Sequence, residues 1–305
     1  MLFRSEIILR DKQFCNLTEV VVRGNDTEST LANKVSLATI LGTIQSTLTS
    51  FQFLSEEWKK NTEEERLLGV SLTGIMDCKL TIKPDPRMLE RLRNAARETN
   101  EQLSKELGIP ASASITCVKP SGTVSQLVDS ASGIHARHSA YYIRRVRIDK
   151  KDPVYPFLKE KGFPVEDEVF RPDSTAVFSF PIKAPKGAIT RNDMTALEQL
   201  ELWLIYQRHW CEHKPSCTIM VEEHEWLDVA AWVYKNFDDI SGISFFPKDN
   251  HVYQQAPYEA ISKEQIAELQ KKVNFDSIDF NIGEESDVTT SSQELACVGN
   301  QCEII

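Results

Sequence analysis

The alternation of strand-like and helix-like apolar patterns is the feature that most constrains the fold of this chain. Residues 20–22 and 114–118 are rich in β-branched side chains and predict short buried strands. Between them, apolar residues recur at three- and four-residue steps from residue 31 to residue 48, which predicts an amphipathic helix that opens at Asp26 or Thr27. Strands that alternate with helices are typical of parallel β/α units, in a doubly wound sheet or in a barrel. The sequence therefore predicts an α/β protein.

Turn and cap signals predict the limits of further elements. A second helix runs from about residue 55 to residue 68 and ends at Gly69, and a third begins at Asp85 and Pro86 and ends at Gly108. Further strands are predicted at residues 141–148, 175–180, 218–221 and 240–246, and further helices at residues 194–213, at residues 226–237 and after the capping box of Ser262 and Gln265.

Composition and charge argue against several classes of partner. The formal net charge of the 305 residues is -10, which disfavours a nucleic-acid backbone or an anionic membrane surface as the main partner. No window reaches the roughly eighteen consecutive apolar residues that a membrane span needs, and no basic segment precedes an apolar signal region. Seven cysteines in a chain of this length do not resemble the disulfide framework of a secreted protein. We therefore expect a cytoplasmic protein that binds neither nucleic acid nor a membrane.

The C-terminal segment differs from the rest of the chain in composition. No Lys or Arg follows Lys272, whereas Asp and Glu accumulate among Ser and Thr. Such a segment cannot bury enough apolar surface to order itself. Its two cysteines, Cys297 and Cys302, flank Gly299, which lets the loop between them fold back until the sulfur atoms reach bonding distance. The sequence therefore predicts an α/β region of residues 1–275 and an acidic, flexible tail of residues 276–305 that carries a redox-active cysteine pair.

Two features of the α/β region could carry chemistry. The loop of residues 119–125, Lys-Pro-Ser-Gly-Thr-Val-Ser, follows a predicted strand, an arrangement in which backbone N–H groups can converge on an anion. The loop lacks the Gly-x-x-x-x-Gly-Lys spacing of a P-loop, so an ordinary turn is the alternative. Near the start of the chain, Glu6 precedes one apolar run and Cys15 precedes the strand of residues 20–22, so the acid and the thiol could face one pocket. A carboxylate near a cysteine at the edge of a strand is more commonly structural.

A metal site is not predicted. Cys211 and Cys217 lie near His209, His213 and His224, but their spacing fits none of the usual zinc patterns. We therefore expect these two cysteines to be core residues at a helix end and a strand start. The same interpretation applies to the two remaining cysteines, Cys78 and Cys117.

Three motifs, in the order in which they occur, resemble the C-terminal half of a ribonucleotide reductase. They are Glu-x8-Cys-Asn-Leu at residues 6–17, Pro-Ser-Gly-Thr-x-Ser at residues 120–125, and Cys-x4-Cys on an acidic tail. The stretches at residues 141–147 and 251–259 are similar to the adenosylcobalamin-dependent (class II) branch, in particular to its monomeric ribonucleoside-triphosphate reductases. The resemblance implies a ten-stranded α/β barrel built from two five-stranded halves, of which residues 1–275 would form the second half.

The resemblance also implies a role for each matching residue. Glu6 matches the carboxylate that handles the proton of the 3′ hydroxyl, and Cys15 matches one of the two thiols that reduce the 2′ carbon in thiyl-radical chemistry. Cys297 and Cys302 match the tail pair that re-reduces the active-site disulfide and is itself reduced by thioredoxin. The residues that match the substrate phosphate loop are Ser121, Gly122, Thr123 and Ser125. Adenosylcobalamin is the implied cofactor and a ribonucleotide the implied substrate, a triphosphate if the likeness to the monomeric enzymes extends to specificity.

The sequence departs from the family where the radical cysteine should be. The family motif is Asn-Pro-Cys-x-Glu, but Arg4 stands two residues before Glu6, and an arginine can carry neither the radical nor its hydrogen. The second reducing cysteine, the allosteric nucleotide site and the first half of the barrel would lie upstream. We therefore expect the chain to be a fragment that is inactive alone and that needs an N-terminal half, if one is made separately.

Three other interpretations remain open. The di-iron-dependent branch of the family has a late tyrosine pair for radical transfer, where this chain has Phe245 and Phe246. A non-catalytic nucleotide-binding remnant or scaffold module would keep the phosphate loop and the redox tail without the chemistry. A general thiol oxidoreductase would usually have a Cys-x-x-Cys motif at a helix start, and the sequence contains none.

Overall fold

The computed structural model describes residues 6–248 and 254–272. Within these ranges the chain forms two compact units, residues 6–137 with 185–248 and residues 138–184 with 254–272. None of the helices in the described ranges is long and apolar enough to cross a membrane.

Helices and strands alternate along most of the described chain. The helices are α1 (Glu28–Gln45), α2 (Glu56–Glu65), α3 (Lys79–Ile82), α4 (Pro86–Leu107), α5 (Val124–Leu127), α6 (Val154–Glu160), α7 (Ala196–His209), α8 (Trp226–Lys235) and α9 (Lys263–Lys272). The strands are β1 (Asn16–Val21), β2 (Leu68–Thr73), β3 (Thr116–Cys117), β4 (Tyr141–Asp149), β5 (Val165–Asp167), β6 (Thr175–Lys183), β7 (Thr218–Val221), β8 (Ser244–Pro247) and β9 (Tyr258–Ala260).

Parallel sheets organise the first unit. Strands β1, β2 and β3 form one sheet in that order with parallel pairing, and β7 and β8 form a separate parallel pair. The register of the first sheet places Glu19 opposite Ser71, and Ser71 opposite Cys117. The parallel β/α arrangement predicted from the sequence is confirmed for this unit.

The two faces of the β1–β3 sheet differ in what they contact. One face packs against helices, because a Cβ atom at Gly42 in α1 would lie 3.5 Å from the side chains of both Thr18 and Leu68. Side chains alternate between the two faces of a strand. A Cβ atom at Gly69 would lie 2.3 Å from Leu17 Cδ2 and 3.4 Å from Cys117 Sγ, so these residues share the second face. The core on the helical side includes Val20, Leu31, Val35, Val70, Met88 and Leu92.

Caps fix the ends of the two longest helices. The Thr27 hydroxyl accepts a hydrogen bond from the Thr30 N–H, and the Thr30 hydroxyl accepts one from the Thr27 N–H, which forms a capping box before α1. Asp85 caps α4, whose first residue is Pro86, and Gly108 ends that helix in the left-handed conformation with φ of 69°. These limits agree with the sequence predictions.

The second helix ends earlier than predicted, and Gly69 does not close it. Helix α2 stops at Glu65, Arg66 adopts a left-handed conformation with φ of 44°, and the next two residues are buried. Gly69 lies inside β2, where the side chain of Leu17 occupies the space that a Cβ atom would need. The glycine is therefore required by close packing on the sheet rather than by a helix end.

The second unit contains an antiparallel sheet in the order β5-β6-β4-β9. The parallel arrangement predicted from alternating strands and helices is wrong for this unit. Between β4 and β6, helix α6 has seven residues and spans about 10 Å, whereas β4 has nine residues and spans about 30 Å. Helix α6 is too short to return the chain to the start of β4. The next long strand, β6, therefore pairs with β4 in the antiparallel direction. A small apolar core contains Leu158, Phe163, Ala176 and Phe178.

A buried ion pair fastens the segment that follows the loop of residues 119–125. The Arg137 Nε and Nη2 atoms each donate to one carboxylate oxygen of Asp77 at 2.9 Å, and the two side chains are only 1% and 4% exposed. The Asp77 carboxylate also accepts the Ala131 N–H at 2.7 Å, and Arg137 Nη1 donates to Asp129 at 2.8 Å. This bidentate arrangement ties the segment to the turn after β2.

Replacement of Arg137 is expected to destabilise the fold strongly. The variant Arg137→Met leaves the Asp77 carboxylate buried without its cation, a change that costs about 3–5 kcal/mol in comparable buried pairs. The measurement is the urea midpoint of unfolding. The matched control is Arg91→Met, whose exposed pair with Glu28 should leave the midpoint unchanged. Equal shifts in the two variants would contradict the prediction.

Candidate functional site

The segment that contains Glu6 lies across the second face of the β1–β3 sheet. Ile7 Cδ1 is 3.3 Å from the position of a Cβ atom at Gly69, in the central strand. The carbonyl of Glu6 accepts a hydrogen bond from the Lys214 N–H at 3.2 Å. These two contacts hold the backbone of Glu6 against the same face that carries Leu17 and Cys117. The Glu6 residue itself is half-buried.

The segment between Glu6 and Cys15 is docked on helix α2. The buried Gln13 side chain donates from Nε2 to Glu65 Oε2 at 2.7 Å and to the Asn61 carbonyl at 3.2 Å. The ring of Phe14 packs against that of Trp58, with 4.7 Å between the centroids. These contacts fix the chain immediately before Cys15 and therefore set the position of its sulfur.

Cys15 is a half-buried thiol that packs against a cluster of Ile7, Leu67 and Cys117. Burial and, to a smaller extent, the nearby charge of Glu6 raise the pKa of Cys15 to about 12. Burial also raises the pKa of Cys117 well above its usual value. At neutral pH both groups are thiols, which can donate hydrogen, rather than nucleophilic thiolates.

His213 and Lys214 border this cluster, and no motif in the sequence predicts their position here. His213 Nε2 donates to the Leu68 carbonyl at 2.7 Å, because a carbonyl can only accept. Burial lowers the pKa of His213, which favours the neutral imidazole. Burial also lowers the pKa of Lys214, while the charge of Glu6 opposes that change. Both side chains therefore lie close enough to Glu6 for its charge to affect their pKa values.

The loop of residues 119–125 follows β3 at the end of the same sheet. Ser121 is buried and adopts a left-handed backbone conformation with φ of 46°, which is uncommon for a residue other than glycine. The Ser125 and Ser132 hydroxyls both donate to its carbonyl. Within the described ranges, the N–H groups of Gly122 and Thr123 have no hydrogen-bond partner. Hydroxyl groups thus hold the Ser121 carbonyl, and among the described contacts the N–H groups of Gly122 and Thr123 remain available to an anion.

The space beside Gly122 is open. A Cβ atom placed on this residue would meet no heavy atom of the other described residues within 4 Å, its two chain neighbours apart. A ligand could therefore approach the backbone closely at this point, which is a common use of glycine in phosphate-binding loops.

Glu19 is a site residue that the sequence analysis missed. Its carboxylate accepts hydrogen bonds from the Ser121 hydroxyl at 2.7 Å and from the Ser71 hydroxyl at 3.5 Å. A carboxylate directly before a strand that was expected to be buried, residues 20–22, is the signal that could have identified it, because buried charges need partners. Its partners are known only once the register of the strands is known.

Several predicted residues lie elsewhere. Arg4, Cys297 and Cys302 lie outside the described residues. Cys211 and Cys217 are buried in the core of the first unit, as the sequence analysis favoured, and Cys78 is buried there too. In the described ranges, no group of three or more His, Cys, Asp or Glu side chains could hold a metal ion.

Comparisons with known proteins place these features in a wider context. No protein-family model matches the chain. Over 252 residues the chain is 31% identical to an adenosylcobalamin-dependent ribonucleoside-triphosphate reductase of Euglena gracilis, and the alignment covers 80% of this chain and 35% of the relative. It is 28% identical over 298 residues to the protein of the same description from Lactobacillus leichmannii, with 83% of this chain and 39% of the relative covered. The chain thus spans well under half the length of these relatives.

Two solved structures resemble this chain in fold. The crystal structure of a B12-dependent (class II) ribonucleotide reductase matches with a TM-score of 0.74 and 26% identity, over 88% of this chain and 41% of that one. A class Id ribonucleotide reductase alpha subunit from Actinobacillus ureae matches with a TM-score of 0.52 at 11% identity, over 77% of this chain and 50% of that one. The second match is a likeness of fold alone.

Alkylation of Cys15 is expected to show a high thiol pKa. Because only the thiolate reacts, its rate with iodoacetamide should rise about tenfold per pH unit from about pH 8 to pH 11 in the folded chain. Mass spectrometry of the Cys15 peptide measures this rate separately from those of the other cysteines. In the urea-unfolded chain, the matched reference, the rate should level off near pH 9. The variant Glu6→Gln should react faster at pH 8, and a plateau near pH 9 in the folded wild type would contradict the assignment.

Proposed function

The chain is a homologue of the adenosylcobalamin-dependent ribonucleoside-triphosphate reductases, and we propose that it provides part of the active site of such an enzyme. The activity would be reduction of a ribonucleoside triphosphate to the deoxyribonucleotide. The observation that carries the proposal is that Glu6, Cys15 and the loop of residues 119–125 all lie on or beside the second face of one parallel sheet. The resemblance of the sequence to class II ribonucleotide reductases is confirmed by the matches in sequence and fold.

The loop of residues 119–125 would bind the phosphates of the substrate. The free N–H groups of Gly122 and Thr123 supply donors, and the open space at Gly122 admits phosphate oxygens close to the backbone. A bound triphosphate would extend the nucleoside from this loop over the sheet face that carries Glu19 and Cys117.

Glu6 and Cys15 would act on the ribose. The Glu6 carboxylate would take the proton of the 3′ hydroxyl as a general base. Two thiols would reduce the 2′ carbon: its C–O bond breaks, the hydroxyl leaves as water, a new C–H bond forms, and the two sulfur atoms join in a disulfide. Cys15 would be one of these thiols, and its raised pKa keeps it protonated until it reacts.

Adenosylcobalamin would be the cofactor, and the residues present fit it in one respect. Ile8 and Leu9, next to Glu6, are 72% and 46% exposed, and Leu17 on the sheet face is 38% exposed. Such apolar side chains are suited to pack against the face of a corrin ring. When bound, the cofactor supplies the radical that starts the reduction.

The remaining parts of the catalytic cycle would involve Cys297, Cys302 and a second polypeptide segment. The tail cysteines would reduce the disulfide that Cys15 forms, by thiol–disulfide exchange, and thioredoxin would reduce them in turn. Arg4 stands where the family has its radical cysteine. The radical cysteine and the second reducing thiol would therefore come from an N-terminal half, which would also complete the ten-stranded barrel.

A second candidate is a module that binds a nucleotide without catalysis. Arg4 favours it, because this residue cannot carry the radical. This candidate needs the phosphate loop but not the thiol of Cys15. The two candidates therefore differ in whether Cys15 matters for any activity of a reconstituted complex.

Reconstitution is expected to restore ribonucleotide reduction. The chain would be mixed with an N-terminal fragment of a relative that carries the Asn-Pro-Cys motif, with adenosylcobalamin, thioredoxin and a ribonucleoside triphosphate. Formation of deoxyribonucleotide would then be measured by chromatography. The variant Cys15→Ser should reduce turnover by at least about 1,000-fold, because one of the two reducing equivalents is lost.

The control for this experiment is Cys217→Ser, which changes a core cysteine outside the proposed site. It should retain turnover if the variant folds. Absence of turnover with both pieces folded would contradict the catalytic proposal, and nucleotide binding without turnover would favour the non-catalytic module.

A further inference from the structure

The loop of residues 119–125 is fastened to strand β1 through Glu19. The Ser121 hydroxyl donates to Glu19 Oε2 at 2.7 Å, and the Ser71 hydroxyl donates to Glu19 Oε1 at 3.5 Å. The Ser71 oxygen in turn accepts the Lys119 N–H at 2.9 Å. Both ends of the Lys119-Pro120-Ser121 segment are therefore connected to one carboxylate, directly or through one hydroxyl.

This carboxylate conflicts with the binding of a phosphate group. A serine hydroxyl has one hydrogen to donate, and in the structure Ser121 donates it to Glu19. A phosphate has only acceptor oxygens at neutral pH, so Ser121 cannot serve both groups at once. The negative charge of Glu19 would also repel a phosphate that is bound to the adjacent backbone of Gly122 and Thr123.

The surroundings of Glu19 favour its neutral form. Burial raises the pKa of Glu19, and the hydrogen bonds from Ser121 and Ser71 only partly offset this effect. Two charged groups face it: Lys119, which favours the carboxylate, and Glu6, which disfavours it. A second negative charge from a phosphate would add to the effect of Glu6.

We propose that Glu19 is a latch on the phosphate loop, and that binding of a nucleotide polyphosphate is coupled to uptake of one proton by this carboxylate. In the empty state the carboxylate holds the Ser121 hydroxyl. In the bound state the carboxylic acid no longer repels the phosphate and no longer needs the Ser121 hydrogen, which the phosphate can then receive. The proton comes from solvent, and no other bond is formed or broken.

This inference rests on the proposed function, because it assumes that the loop of residues 119–125 binds phosphate. Glu19 acts through Ser121 and is therefore a positioning residue. Its substitution should change the pH dependence of binding, which a purely structural role would not alter.

The test is titration calorimetry of the full chain with ATP at pH 8.0, where the terminal phosphate is fully ionised. Repetition in buffers of different ionisation enthalpy gives the number of protons taken up. The wild type should take up about one proton, and its affinity should fall about tenfold for each pH unit above the pKa of Glu19. The variant Glu19→Gln keeps an acceptor for Ser121, so it should take up none and should bind ATP more tightly at pH 8.0.

The matched control is Glu28→Gln, which removes the same charge from the exposed first turn of α1. It should behave as the wild type does, and circular dichroism and urea unfolding verify that each variant folds. ATP binding by the wild type without proton uptake would mean that the protonation of Glu19 does not change on binding, and it would overturn the latch but not the phosphate site. Equal proton uptake by the wild type and by Glu19→Gln would also overturn the latch but not the phosphate site. Absence of ATP binding by every folded variant would overturn the phosphate site and the latch with it.

Discussion

The in-register pairing of three parallel strands is the constraint on which the rest of the site depends. Because side chains alternate along a strand, the register that places Glu19 opposite Ser71, and Ser71 opposite Cys117, also assigns every neighbouring side chain to a face. One face is closed by α1 and α4, and the other is left to the segment of Glu6. A shift of one residue in β1 would exchange the two sets and bury Glu19 against the helices. The core packing therefore also fixes which side chains can meet a substrate.

Burial sets the protonation of the groups on this second face. The thiols of Cys15 and Cys117 have raised pKa values, and the pKa values of His213 and Lys214 are lowered, with burial as the largest cause in each case. All four shifts favour the uncharged form. Such an environment suits the transfer of hydrogen from a thiol and opposes a thiolate mechanism, which distinguishes this face from the sites of ordinary thiol oxidoreductases.

Local signals in the sequence predicted the parts of the fold that depend on nearby residues. The start of α1 at Asp26 or Thr27, the cap at Asp85 and the stop at Gly108 were all predicted correctly, because each depends on contacts within one turn. Gly69 was misassigned because its role depends on Leu17, a residue in another strand. Glu19 was missed for the same reason: its partners Ser71 and Ser121 are distant in sequence, and a single sequence does not reveal strand pairing.

The antiparallel sheet of the second unit shows a different limit of prediction from the sequence, because strand positions were predicted correctly and strand directions were not. The strands at residues 141–148 and 175–180 were located correctly, since their apolar and β-branched content is a local property. Their direction relative to one another depends on whether the connecting segment is long enough to return the chain along the strand. That length became clear only when α6 proved to be a helix of seven residues.

The segment that follows β3 is held at two points of unequal strength, and the difference has a consequence for ligand binding. At one point, Arg137 and Asp77 form a buried, bidentate ion pair. At the other point, Ser121 donates a single hydrogen bond to Glu19, a carboxylate whose environment favours protonation. Gly122 lies next to this weaker point and has open space beside it. A rearrangement that admits a ligand therefore requires less free energy at the Glu19 end, while the Arg137 end keeps the loop in place.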